Sequence, residues 1–160
     1  MQTPASVARH PIHPMLAVFP LGLLLTAVVF DVITLVTGGP TPRLVAFYLI
    51  AAGVLGALPA AVPGFIDYVS LQGRPGRLAT WHMGLNVAAV AVFLVSFGLR
   101  TRWGESWVPP GSSLPPALSS VGAAALMVSG WLGGHLVYVH RVGVAEGPAG
   151  RDELRRRRAA

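Results

Sequence analysis

The sequence predicts an all-α integral membrane protein: a four-helix, up-down-up-down bundle with both termini cytoplasmic. Three observations predict it. Of 160 residues, 53% are hydrophobic and only 11% charged, against about 25% charged in a soluble domain. Four windows reach the roughly 20 apolar residues that cross a hydrocarbon core, and none of them contains Lys or Arg. The arginines are also unevenly placed. Arg9, Arg74, Arg77, Arg141, Arg151 and the block Arg155, Arg156, Arg157 and Arg158 fall on one side, while Arg43, Arg100 and Arg102 fall on the other. Basic residues collect in cytoplasmic loops, which sets the expected orientation.

The first span, about 15–36, follows His10-Pro11-Ile12-His13-Pro14 and ends before the turn Gly38-Gly39-Pro40. Its apolar stretch exceeds the roughly 7–15 residues of a signal-peptide core, so it is expected to be retained. The second span, about 44–69, carries Pro59 and Pro63, which bend a helix and free carbonyls one turn earlier. It also carries the small-residue faces Gly53, Ala57, Ala61 and Gly56, Ala60, Gly64. The third span, about 78–99, places Asn86 one turn from His82. Between it and the fourth span, Trp103 and Trp107 suit a membrane–water boundary, while Pro109, Pro110, Pro115 and Pro116 separate the two helices. The fourth span, about 118–139, has Gly130 and Gly134 on one face, a pattern that lets helices approach closely. No internal repeat is evident, which weakens a carrier reading. Residues 1–144 are thus expected to form the transmembrane domain and 145–160 a disordered basic tail. Its arginine block suits anionic lipid; without interleaved aromatics it is no nucleic-acid motif.

Chemistry is narrowed by composition. With Cys at 0, thiolate nucleophiles, disulfides and Cys-ligated metals are excluded. Polar residues within the spans are the functional candidates. His10 and His13 precede the first span, Asp67 lies near the end of the second, His82 near the start of the third, and His135 and His140 at the end of the fourth. All five histidines and one carboxylate are therefore expected at one membrane level, near the cytoplasmic face. Short connections make helices one and three, and two and four, diagonal partners. His82 should then face His13 or His10, and Asp67 should orient His135 as a carboxylate orients a ligating imidazole. Trp131, one turn from His135, is expected as a flat wall of the same site. Asp31 lies at the opposite end, where Arg100 or Arg43 could neutralise it and Tyr48 could donate to it.

These residues carry a resemblance. The run His10 to Met15, Phe19-Pro20-Leu21-Gly22, Pro63 to Asp67, Trp81-His82 with Asn86, and Gly130 to Tyr138 extending to Val144 resemble a bacterial four-span membrane family carried as a domain of unknown function. The resemblance covers Arg9 to Val144 and implies a multi-pass protein of the bacterial inner membrane. It further implies a layout similar to four-helix membrane b-type cytochromes and, through some relatives, a Rieske-type redox partner. That analogy is one of fold and does not by itself establish activity. Two-haem cytochromes carry histidines at both faces, whereas this chain carries them at one.

Three functions follow from the pattern. The first is a redox subunit holding a b-type haem through His82 with His13, His10 or His135. The second is a transition-metal site built from His10, His13, His82, His135 and Asp67, since imidazole suits zinc, copper, iron and nickel. The third is a non-catalytic anchor or assembly subunit whose histidines only bond nearby carbonyls. Lipid is the expected surrounding in each case, and association with a second copy is left open.

Overall fold

The computed structural model describes residues 3–8, 10–101 and 112–144. Arg9, Arg102, Trp103, Trp107, Pro109, Pro110 and the whole 145–160 tail lie outside the described residues. Four long helices run as α1 Ile12–Thr37, α2 Pro40–Val69, α3 Gly73–Arg100 and α4 Leu114–Tyr138. A short antiparallel ribbon, β1 Ser6–Val7 with β2 His10–Pro11, precedes them. Each helix begins three to five residues earlier than the apolar windows suggest. Flanking residues that lipid would not accept still continue the helical hydrogen bonds in the interfacial zone. Arg74 and Arg77, in the first turns of α3, can extend their charged ends outward from there.

The helix ends follow local chemistry. Gly38 closes α1 in a left-handed conformation (φ 67°), its N–H reaching the Thr34 carbonyl; a side chain there would be strained. Gly39 then leads directly to Pro40 at the first position of α2. Pro115 and Pro116 sit in the first turn of α4, where a missing N–H costs nothing. α1 packs against α2 and α3 against α4 along their lengths, with lighter α2–α3 and α1–α4 seams. The bundle is the expected one, with α1 and α3 on one diagonal and α2 and α4 on the other.

The two hairpins are copies of one plan, contrary to the expectation of no repeat. His13 bonds the carbonyl of Ala60, and His82 bonds that of Ser129, each pair 47 residues apart. Asp31 and Arg100, which bond one another, are 69 residues apart. The same offset relates His13 to His82, Leu24 to Phe93, Gly53 to Gly122, Ala60 to Ser129 and Gly64 to Gly133. It also relates the buried Pro20 and Ala27 of α1 to the buried Ala89 and Ser96 of α3, and Ala46 and Ile50 of α2 to Pro115 and Ser119 of α4. Both hairpins run in the same direction, so a pseudo-two-fold axis lies along the bundle.

The core sits midway along this axis, where Leu24, Ala27, Ile50, Ala89, Phe93, Ala123 and Leu126 pack together. Lipid tails are as apolar as leucine, so van der Waals fit rather than water exclusion holds such a core. A Cβ at Gly122 would stand 2.8 Å from the buried Phe93 ring, and one at Gly53 would stand 2.7 Å from Leu24. Gly122→Ala is therefore expected to destabilise the protein by about 1–3 kcal/mol. Gly98→Ala, where nothing lies within 4 Å, should be neutral. Thermal unfolding in detergent compares the two.

Candidate functional site

His13 stands in the first turn of α1 and His82 in the third turn of α3, on the diagonal of the bundle. Their ring centres are 6.1 Å apart and their planes 85° apart. Each ring is anchored by the other helix of its own hairpin. His13 Nδ1 lies 2.8 Å from the Ala60 carbonyl. His82 Nδ1 lies 2.8 Å from the Ser129 carbonyl and 3.0 Å from Ser129 Oγ. A carbonyl only accepts, so both Nδ1 atoms carry a proton, and in the neutral ring the lone pair then lies on Nε2. The Asn86 amide Nδ2 donates to His82 Nε2 at 3.1 Å and to the His82 carbonyl at 3.0 Å. Ser129 Oγ also donates to the His82 carbonyl.

Glycines make room for both imidazoles. A Cβ at Gly64 would fall 2.7 Å from His13 Nδ1, and one at Gly133 would fall 3.0 Å from His82 Cε1. Glycines at these two related positions let each ring lie against the neighbouring helix backbone. Gly64 and Gly133, together with the carbonyls of Ala60 and Ser129, belong to the site although sequence reasoning did not select them. The 69-residue offset was the signal that could have found them.

The remaining expected residues divide elsewhere. His10 lies in β2, and its Nδ1 turns back to the Ala8 carbonyl; it does not join His13, because Pro11 ends the ribbon before α1 begins. His135 packs between Trp131 at 5.8 Å and His140 at 5.3 Å between ring centres. The expected pairing of His135 with Asp67 is not made. Asp67 Oδ1 instead accepts the Ala5 N–H at 2.8 Å, holding the ribbon against the end of α2. Trp131 is 70% exposed and faces outward, so it does not wall the His13–His82 site. With Trp81, Phe65 and Tyr138, all exposed at this end, it marks the level of an aromatic interfacial belt. Among the described residues no three His, Cys, Asp or Glu side chains come close enough to hold a metal together. The five residues expected in one set are therefore not brought together: His13 and His82 form an inner pair of rings, and His135 and His140 an outer one.

At the opposite end, Arg100 selects Asp31. Its Nη1 and Nη2 donate to the two carboxylate oxygens at 2.6 and 2.7 Å, and both side chains are buried. Ser96 and Ser119 accept further guanidinium bonds while donating to the Pro115 carbonyl. Tyr48, by contrast, is 62% exposed and takes no part. Every nitrogen of the guanidinium and both carboxylate oxygens thus have a partner, the condition for tolerating charge away from water.

A search of curated proteins and of solved structures finds no match to this chain. The family described as Predicted membrane protein (DUF2231) matches residues 9–146, from the ribbon through the end of α4. A multi-pass helical bundle with its paired histidines inside that stretch is thus a member of the DUF2231 membrane protein family.

Proposed function

We propose that the protein is a membrane redox subunit in which His13 and His82 would hold one b-type haem. One observation carries this reading. Both imidazoles spend Nδ1–H on a backbone carbonyl and present Nε2 as a base, and their ring centres are 6.1 Å apart. Two imidazoles that each bond one metal at about 2 Å must stand within such a separation, and that closeness supports the reading. The carbonyl bonds orient the rings and fix their tautomer, as outer partners of metal-bound histidine do. A bound haem would supply one-electron transfer. The chain's own residues position the ligands, exclude water and separate the two membrane faces. Below the pair lie the apolar core and then the buried ion pair, so electrons would enter and leave at the histidine end.

Arg74, Arg77 and Arg141 lie at that end, which supports a cytoplasmic orientation in a bacterial inner membrane. A Rieske-type subunit is the partner class proposed to exchange electrons there. A single transition-metal ion is the second reading. It is favoured by the Asn86 amide, which already lies 3.1 Å from His82 Nε2 and narrows the space beside the ring.

The absorption spectrum of detergent-purified protein is the test. The haem reading expects a Soret band that sharpens on dithionite addition and is lost in His13→Ala and in His82→Ala. His135→Ala, outside the pair, should keep it. Stoichiometric metal without a Soret band selects the ion reading. Absence of both leaves a membrane anchor and defeats the proposal, as does a band that survives loss of both inner histidines.

A further inference from the structure

The two repeats agree at the histidines, at the carbonyls that bind them and at the glycines beside them, but they differ one turn further along. Repeat two has Asn86 where repeat one has Ala17. The Asn86 amide donates to Nε2 of His82 and also to the carbonyl of that residue. Both contacts require Nδ2 to point this way, since flipping the amide would set its oxygen against a lone pair and a carbonyl. Ala17 offers no donor at the matching place beside His13. The pair is therefore two-fold in position and unequal in chemistry.

We propose that Asn86 is a built-in competitor for the lone pair of His82, making that imidazole the exchangeable ligand and the site one that loads and unloads reversibly. His13 is the standing ligand. Metal can bond His82 Nε2 only after the amide hydrogen bond is broken, and the same bond re-forms whenever the metal leaves. The inference rests on the reading of the pair as metal-ligating and adds to it which member lets go. A hydrogen bond of this kind is worth about 1 kcal/mol net, which corresponds to about five-fold in an equilibrium constant.

The test titrates metal-free full-length protein in detergent with haemin, and separately with Ni(II), measuring affinity and dissociation rate. Asn86→Ala, which copies repeat one, and Asn86→Leu, which keeps more of the volume, should each bind about five-fold more tightly and release more slowly. Ala17→Asn, which gives His13 a competitor of its own, should bind more weakly. A residue with a merely structural role would lose affinity on substitution, so unchanged or weaker binding in both Asn86 variants overturns the proposal while leaving the ligand pair intact. If the unaltered protein binds neither probe, the metal-ligating reading fails and this one falls with it.

Discussion

Arg100→Ala is expected to lower stability by about 3–5 kcal/mol, because it leaves the Asp31 carboxylate buried without its partner. Loss of helicity on titration with a denaturing detergent measures the change. Asp31→Ala should cost a similar amount for the opposite reason, stranding a guanidinium whose remaining partners are two serine hydroxyls. The exchanged double variant, Asp31→Arg with Arg100→Asp, restores the ion pair because the two positions correspond across the pseudo-two-fold axis. Its recovery should be partial. The serines that accept from Arg100 are Ser96 and Ser119, and the positions related to them are Ala27 and Ile50, neither of which can accept a hydrogen bond from its side chain. Full recovery would show that the serines contribute nothing, and no recovery would show that the hairpins are less alike than their offsets indicate.

The second large effect concerns the site rather than the fold. Gly64→Ala places a methyl carbon only 2.7 Å from His13 Nδ1. The ring must swing away, breaking its bond to the Ala60 carbonyl and losing its alignment with His82. Any metal or haem held by the pair should then fall below a tenth of the unaltered content. Overall stability should drop by only about 1–3 kcal/mol. Gly84→Ala, with nothing within 4 Å, is the matched control and should retain full content. Equal retention in Gly64→Ala would mean that His13 is not a ligand.

Much of this architecture is legible in the residues alone. Uninterrupted apolar windows reveal four crossings, since nothing else in 160 residues accounts for them, and the Gly38-Gly39-Pro40 turn reveals α1 and α2 as neighbours. The approach of His13 to His82 follows from depth and connectivity. So does the neutralisation of Asp31, although only the packing chooses Arg100 over Arg43. The pairing of Asp67 is not legible. A two-residue strand has no periodicity to read, and the ribbon that brings the Ala5 N–H to this carboxylate folds back against the direction of the first helix. The repeat is hidden for a different reason. Inner positions hold the offset, yet outward positions have drifted freely, because any apolar side chain satisfies lipid; Val62 corresponds to Trp131 and Phe65 to Gly134. Trp131 misleads in the same way: helical phase places it near His135 but does not say that the face they share looks outward.

Because each duplicated unit crosses the bilayer an even number of times, copying it preserves polarity, and the second copy enters the membrane facing the same way as the first. Transporters built from oppositely oriented halves can exchange an outward-open state for an inward-open one. In this co-oriented tandem both related histidines instead stand at one end of the bundle and both members of the ion pair at the other.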